Sequence, residues 1–309
     1  MSIPKLLLTG STGFLGSILK KELAQHFTIT TLGLASSNNY SIDLSRQVPH
    51  FSSSFDCILH NAGKAHTIPR TVEQKAAFYS LNHAGTLRLL EALDDAGHFP
   101  QCFIFISTIA VYGLDEGEDI SESTPLHAQT PYAKSKLAAE QAIWEWGTRH
   151  GVQIVILRLP LVVGPNPPGN LGKMASGIQK ERYIRIRHNM ARKSAVCAAD
   201  VAKLIPSLIG KSGIYNLTDG VHPTFESIEL AIAAALKRPL HWTIHKALLR
   251  LVAAVGNCLP GFPLNIPIFC KLTASLTFSD AKARSELGWN PNPVLPVLSD
   301  PLNWNKLPQ

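Results

Sequence analysis

A glycine-rich turn near the start of the chain restricts the possible fold more than any other feature. It reads Thr9-Gly-Ser-Thr-Gly-Phe-Leu-Gly16 and directly follows the apolar run Leu6–Leu8. Apolar residues then recur at helical spacing over residues 14 to 26. Glycine is needed where a strand turns sharply into a helix, because a side chain would obstruct the turn and the packing of helix on strand. The pattern predicts the first strand and helix of an open α/β sheet.

The first half of the chain repeats this alternation of short apolar runs and longer amphipathic stretches. Such alternation is typical of β-α-β units and a parallel sheet with helices on both faces. The predicted strands cover residues 4–9, 27–32, 56–60, 102–107 and 153–159, and the predicted helices cover 14–26, 71–97 and 132–150. The predicted fold is α/β, a doubly wound parallel sheet of the Rossmann type with a smaller C-terminal substrate-binding domain.

The composition of the sequence changes after Arg158. The segment Arg158-Leu-Pro-Leu-Val-Val-Gly-Pro-Asn-Pro-Pro-Gly-Asn170 is rich in proline and glycine, which is typical of a loop and of a domain border. We therefore expect a dinucleotide-binding domain over residues 1–160 and a substrate-binding region over 161–309. A later run at 213–218 has the pattern of a strand and is expected to return to the first sheet.

The glycine turn is a candidate binding site for the pyrophosphate of NAD or NADP. Glycine lets the backbone approach the anion, and the free N–H groups of a helix N-terminus bind it. NAD-selective sites usually carry an acidic residue about 20 positions later, but this chain has Thr31-Leu-Gly-Leu-Ala-Ser-Ser37 there. The missing acid favours NADP, although no adjacent arginine is present to hold its phosphate. Asp43 could reach the adenine or could be an ordinary turn residue.

Two further segments carry side chains suited to proton transfer. Tyr132 and Lys136 are four residues apart near the start of a predicted helix, so they share one face. An ammonium beside a phenol stabilises the phenolate and lowers the phenol's pKa. Thr108 follows a predicted strand, at the end where open α/β sheets bind ligands, and its hydroxyl can bond to a reacting oxygen. Tyrosine and lysine at this spacing are also common as a surface pair, so the conjunction with the glycine turn matters.

Taken together, these motifs resemble the extended short-chain dehydrogenase/reductase superfamily, in its NAD-dependent nucleoside-sugar epimerase/dehydratase family. The similarity extends over nearly the whole chain. It rests on TGSTGFLG, HNAG at 60–63, LNHAGT, STIAVYG, YAKSK, LRLPLVVGP and FSDAKARSELGWNP.

The resemblance implies roles for individual residues. Tyr132 would be the acid/base, Lys136 would hold the nicotinamide ribose and lower the tyrosine pKa, and Thr108 would orient the substrate oxygen. The cofactor would contact the following residues of the glycine turn and of four later segments: Gly10, Thr12, Gly13, Phe14, Leu15, Gly16, Asp43, Leu44, Asn61, Ala62, Gly63, Asn82 and Lys136. Asn170 and Arg192 would contact the diphosphate of the substrate, together with Thr108 and Tyr132 at its sugar.

The resemblance also implies a reaction. Dehydratases of this family carry an Asp-Glu pair after the Ser/Thr, whereas this chain has Thr108-Ile109, so dehydration is disfavoured. The expected activity is NAD(P)H reduction of a UDP-4-keto-6-deoxy-N-acetylhexosamine. One alternative is a UDP-sugar 4-epimerase with tightly bound NAD. Another is a regulator that senses NAD(P) without catalysis.

Composition and charge indicate which partners, metal sites and compartment to expect. The net charge of +7 is scattered, so it suits an anionic small molecule and does not indicate a nucleic-acid partner. Five widely spaced cysteines and no histidine cluster predict no metal site and a reducing, cytoplasmic compartment. The N-terminus lacks a signal-peptide pattern, and no apolar run reaches the about 20 residues of a membrane span. The apolar stretch 247–277 packs the smaller domain or contacts a membrane or partner. A homodimer is expected from the resemblance, through helices 71–97 and 132–150.

Overall fold

The computed structural model describes residues 3–65, 67, 69–259, 262 and 264–305. Its strands are β1 (Lys5–Thr9), β2 (Thr28–Gly33), β3 (Tyr40–Ser41), β4 (Cys57–His60), β5 (Cys102–Thr108), β6 (Gly117–Ile120), β7 (Gln153–Leu159), β8 (Leu161–Val163), β9 (Ile184–Ile186), β10 (Ala195–Cys197), β11 (Gly213–Asn216), β12 (Trp242–Ile244) and β13 (Leu276–Phe278).

The α-helices are α1 (Phe14–Leu23), α2 (Val72–Tyr79), α3 (Gly85–Ala96), α4 (Pro131–His150), α5 (Gly169–Gln179), α6 (Ala198–Leu204), α7 (Phe225–Leu236), α8 (Lys246–Gly256), α9 (Ile266–Thr273), α10 (Ala281–Leu287) and α11 (Val294–Ser299). A π-helical turn, Ser80–Ala84, joins α2 to α3, and 3₁₀ turns occupy Ile109–Tyr112, Ile205–Leu208 and Pro301–Trp304.

Within the described residues, seven strands form one parallel sheet in the order β11-β7-β5-β4-β1-β2-β3. Successive side chains of a strand point to opposite faces. Leu6 and Leu8 of β1 therefore pack in one core with α1 and α6, while Leu7 packs in a second core with α3 and α4. Helices thus cover both faces. This confirms the doubly wound Rossmann sheet that the alternation of apolar runs predicts.

The second half of the chain contributes to both parts of the molecule. Gly213–Asn216 pairs in parallel with β7, and α6 packs against α1 in the core of the sheet. A separate apolar cluster forms between α5, α7 and α11, with Ile178, Ile232 and Leu298 fully buried. The division of the chain at residue 160 stays a prediction, and the segment that returns to the sheet includes a helix as well as a strand.

None of the helices in the described part of the chain is both long enough and apolar enough to cross a membrane. Among the same residues, no group of three or more His, Cys, Asp or Glu side chains is placed to hold a metal ion.

Candidate active site

The carboxyl ends of four neighbouring strands, β1, β4, β5 and β7, surround a cavity of about 560 Å³. Parallel strands present their carboxyl ends at one edge of the sheet, where ligands of open α/β folds bind. The wall is formed by the glycine turn after β1, the segment after β4, the end of β5, the start of α4, and the segment after β7 together with α5. Its residues are Gly10, Gly13, Phe14, Leu15, Asn61–Ala65, Ile106–Thr108, Tyr132, Lys136, Leu159–Val162, Pro168 and Asn170.

The glycine turn is closely fitted to the backbone around it. Gly10 has a φ of +69°, a conformation that L side chains rarely adopt, and a Cβ there would lie 2.8 Å from the backbone of Ala62. A Cβ on Gly16 would lie 1.9 Å from the carbonyl oxygen of Gly10. The glycines thus let helix α1 begin directly against strand β1, with its N-terminus facing the cavity. This is the arrangement that an anion-binding helix N-terminus requires.

We expect Gly16→Ala to lower both the melting temperature and the affinity for dinucleotide. Alanine in a helix normally stabilises by about 0.5–1 kcal/mol relative to glycine, but the overlap with the Gly10 carbonyl outweighs that gain. Gly13→Ala is the matched control for stability, because its Cβ would lie 3.5 Å from the same oxygen, an ordinary contact. Thermal unfolding of both variants measures the difference. Equal melting temperatures of the two variants would contradict the steric overlap between a Cβ on Gly16 and the Gly10 carbonyl oxygen.

Tyr132, Lys136 and Thr108 all line the cavity. Burial raises the pKa of Tyr132, and a hydrogen bond with Thr108 lowers it by less. Burial lowers the pKa of Lys136 to about 7, although the carboxylate of Glu140 acts in the opposite direction. The Lys136 ammonium lies 3.8 Å from the centre of the Phe105 ring. From the sequence, we expect Lys136 to lower the pKa of Tyr132. In the structure that pKa is raised instead, because burial dominates.

A buried polar network lies beneath these residues, and the sequence analysis does not find it. Glu140, one helical turn after Lys136, accepts a hydrogen bond from Ser107 and pairs with Arg158, at 2.7 Å between Nη2 and Oε2. Arg158 also donates to the Tyr112 hydroxyl at 3.0 Å, and that hydroxyl donates to Asn216 at 2.8 Å. A signal was available, because a charged residue inside the apolar strand 153–159 must have a partner.

Asn82 lies behind the cavity and ties two of its walls together. It sits in the π-helical turn Ser80–Ala84, a feature common at functional sites. Its Oδ1 accepts from the Lys64 backbone N–H at 2.6 Å, and its Nδ2 donates to the Lys64 carbonyl and to Ser135 Oγ. Ser135 in turn donates to the Tyr132 carbonyl at 2.8 Å. Asn82 therefore positions the helix turn that carries Tyr132.

Five more of the residues predicted to bind cofactor or substrate lie outside the cavity wall. Thr12 is exposed in the glycine turn, Gly16 is buried behind it, and Leu44 is buried under Gly85. The Asp43 carboxylate accepts from the Ser45 N–H at 2.9 Å, and a hydrogen bond from the Ser45 side chain, together with this backbone bond, lowers its pKa. Arg192 is held at the surface by the carbonyls of Val221 and His222. Their assigned contacts stay predictions.

Asn38 lies in the loop between β2 and β3, in the region where the acidic residue is missing. It is 8 % exposed, and its Oδ1 accepts from the hydroxyl of Ser11 in the glycine turn at 2.7 Å. No residue from 33 to 42 is charged. This side of the turn is therefore neutral, with Asn38 linking the two loops.

His60, at the end of β4, titrates far from its usual range. Its Nδ1 lies 2.7 Å from Thr9 Oγ1, its Nε2 lies 2.9 Å from Thr86 Oγ1, and burial lowers its pKa to about 3. The unfolded chain therefore binds a proton below about pH 6.5 that the folded chain does not bind. The free energy of unfolding consequently decreases as the pH is lowered from about 6.5 to about 3.

We expect His60→Gln to reduce this loss of stability by up to about 1.4 kcal/mol per pH unit below pH 6.5. Urea unfolding at several pH values measures the slope, with the exposed His98→Gln as the control. Unchanged slopes in both variants would contradict the low pKa of His60.

Known proteins resemble this chain in sequence and in fold. The model of the NAD dependent epimerase/dehydratase family matches residues 6–217. The GDP-6-deoxy-D-mannose reductase of Pseudomonas aeruginosa is 31% identical over 237 residues, which cover 70% of this chain and 75% of that protein. The UDP-glucose 4-epimerase of Streptomyces lividans is 25% identical over 336 residues, covering 97% of this chain and 96% of that protein.

Two solved structures share the fold. RMD from Pseudomonas aeruginosa, complexed with NADPH, has a TM-score of 0.74 at 21% identity and covers 98% of this chain and 100% of its own. The UDP-glucose 4-epimerase of Thermus thermophilus, complexed with NAD, has a TM-score of 0.73 at 22% identity and covers 97% of this chain and 98% of its own.

Proposed function

Because the chain belongs to the NAD-dependent epimerase/dehydratase family, in the extended short-chain dehydrogenase/reductase superfamily, we propose that it reduces the 4-keto group of a UDP-4-keto-6-deoxy-N-acetylhexosamine with NAD(P)H. It is an NAD(P)-dependent enzyme of nucleotide-sugar metabolism, a reductase or an epimerase. The choice of reduction, of this sugar and of the individual residues is the proposal.

The residues of the cavity fit a dinucleotide. The turn around Gly10 and Gly16 leaves no room for side chains, so its backbone can approach a pyrophosphate. Asn61, Ala62 and Gly63 line the same cavity. The nicotinamide supplies the hydride when it is bound. Residues 33–42 offer neither a carboxylate that would repel a 2′-phosphate nor an arginine that would bind it, so we propose use of both cofactors, with NADPH preferred.

Three side chains would handle the substrate oxygen and its proton. The Thr108 hydroxyl would hold the carbonyl oxygen, and Tyr132 would donate its phenolic proton to that oxygen as the carbonyl is reduced. Lys136 would bind the ribose next to the nicotinamide and return a proton toward Tyr132. Its pKa of about 7 lets it hold or release a proton near neutral pH. Asn170, in the cavity wall, and Arg192 would contact the diphosphate.

One observation supports the choice of reduction over epimerisation. Residues 33–42, after the second strand, include no acidic residue to hold the ribose 2′-hydroxyl of NAD. A cofactor without this contact exchanges more readily. A reductase must exchange its cofactor at every turnover, whereas an epimerase keeps it bound.

The runner-up is a UDP-sugar 4-epimerase with firmly held NAD. It is supported by the Streptomyces lividans 4-epimerase, whose similarity extends over 97% of this chain. A sensor without catalysis is disfavoured, because binding alone requires neither a half-buried tyrosine in the cavity nor the lysine and threonine beside it. The homodimer, through α2, α3 and α4, is a proposal that size-exclusion chromatography tests.

The deciding experiment mixes the purified chain with a UDP-4-keto-6-deoxy-N-acetylhexosamine and NADPH or NADH and follows nicotinamide absorbance. We expect oxidation with both cofactors, faster with NADPH. A GDP-linked 4-keto-6-deoxyhexose in parallel tests the nucleotide. Bound NAD that does not exchange, together with interconversion of UDP-sugars without consumption of reduced cofactor, would replace the reductase with the epimerase.

A further inference from the structure

One long segment that takes no part in the cavity lacks acidic residues. Residues 230–279 contain the basic side chains of Lys237, Arg238, Lys246, Arg250 and Lys271 and no Asp or Glu, so this segment carries five of the seven net positive charges. Arg238 pairs with Glu181, and Lys271 pairs with Asp115. Lys237, Lys246 and Arg250 make no ion pair with the described residues. The segment therefore keeps an unbalanced positive charge.

Helix α8, in the middle of this segment, leaves large aliphatic side chains in solvent. Leu248, Leu251 and Val255 are 53%, 62% and 55% exposed, and Leu259 just beyond the helix is 50% exposed. Their spacing of three, four and four residues places the three helical members on one face, which we call the α8 stripe (Leu248, Leu251 and Val255). Single exposed leucines are ordinary, but a contiguous group marks an interaction surface.

The other side of α8 is already occupied. Ala253 and Gly256 are buried, α8 packs against α9, and a Cβ on Gly256 would lie 1.9 Å from the Leu264 carbonyl oxygen. The helix is therefore fixed in place by its small residues while the α8 stripe faces away from them. None of the described residues covers the stripe, as the exposed fractions show.

The basic and aromatic residues around the stripe indicate its occupant. Lys246 and Arg250 are exposed, one helical turn apart, on positions of α8 away from the stripe. Trp242, on the strand before the helix, is 60% exposed. An aliphatic face, a basic polar face and a neighbouring tryptophan are the pattern of a helix that lies in the interface of a bilayer, and cations near it are attracted to anionic lipids.

We propose that α8 docks this protein on the surface of an anionic membrane. The α8 stripe would enter the boundary between headgroups and acyl chains, while Lys246, Arg250 and Lys237 interact with lipid phosphates. The chain would bind peripherally and reversibly, since one short helix and a few charges give weak attachment. The docking surface lies outside the cavity wall, so membrane binding and cofactor binding are separable.

Flotation of the full chain with vesicles tests the proposal. One set of vesicles is phosphatidylcholine alone, and the other contains about one-third phosphatidylglycerol. We expect the bound fraction to be about tenfold higher on the anionic vesicles and to fall as salt is raised. Lys246→Gln with Arg250→Gln should remove most of the preference for anionic lipid.

The triple variant Leu248→Ser, Leu251→Ser and Val255→Ser should lower binding about tenfold and leave dinucleotide binding unchanged. The matched control carries Ile3→Ser, Leu230→Ser and Leu302→Ser, which are also exposed aliphatic residues, and should float like the original chain. Absence of flotation, or equal flotation of the stripe variant and the original chain, would overturn the proposal. So would a dimer in the absence of lipid that the stripe variant abolishes, because a second copy would then cover α8.

Discussion

Tyr132→Phe should lower kcat for ketone reduction about 10²–10⁴-fold while leaving the affinity for dinucleotide within about twofold. The substitution removes only the hydroxyl, so the ring keeps its contact with Phe78, at 6.1 Å between ring centres. The lost hydroxyl is the group whose pKa burial raises and that bonds to Thr108. Stopped assays of cofactor oxidation give kcat, and fluorescence titration with NADPH gives the dissociation constant.

Tyr112→Phe is the matched control for this prediction. Tyr112 is buried, and the substitution removes its hydrogen bonds to Arg158 and Asn216. Unlike Tyr132, it does not line the cavity. It should therefore lower stability by about 1 kcal/mol with little change in kcat. If Tyr132→Phe retained full activity, Tyr132 would not be the proton donor. If neither the original chain nor the Tyr112→Phe variant turned over any nucleotide sugar while both bound dinucleotide, a non-catalytic sensor would become the preferred function.

Arg158→Met should be the most destabilising of the substitutions considered, by about 3–5 kcal/mol. It leaves the carboxylate of Glu140 buried without its partner, at a site where the two side chains are 2% and 4% exposed. Ser107 still donates to Glu140, but a single hydroxyl does not balance a buried charge. Unfolding in urea and by heat, at neutral pH, measures the loss.

The double variant Glu140→Leu, Arg158→Met separates the cost of an unpaired charge from the value of the pair. With both charges removed, most of the lost stability should return, because apolar residues of similar volume often replace a buried ion pair without penalty. Losses that simply add in the double variant would contradict this account. Glu140 also acts on Lys136, so we expect Glu140→Leu to shift the pH profile of reduction to lower pH.

Local chemistry explains why so much of the sheet could be predicted. The central strands β1, β4, β5 and β7 are apolar runs long enough to be recognised, and the glycine turn has a backbone requirement that only glycine satisfies. The helix predicted at 71–97 illustrates the limit. The structure divides it at a π-helical turn that directs Asn82 toward Lys64 and Ser135, and no periodicity reports such a turn.

The sequence by itself determined the doubly wound sheet, the glycine turn and the identity of the tyrosine, lysine and threonine in the cavity. These depend on backbone geometry and on spacing along one helix, which are local properties of the chain. Only the tertiary structure decided the direction in which the pKa of Tyr132 shifts, the pairing of Glu140 with Arg158 and the surface position of Arg192. Burial, and partners distant in sequence, set the charge and the direction of a side chain. Both arise only when separate segments pack together.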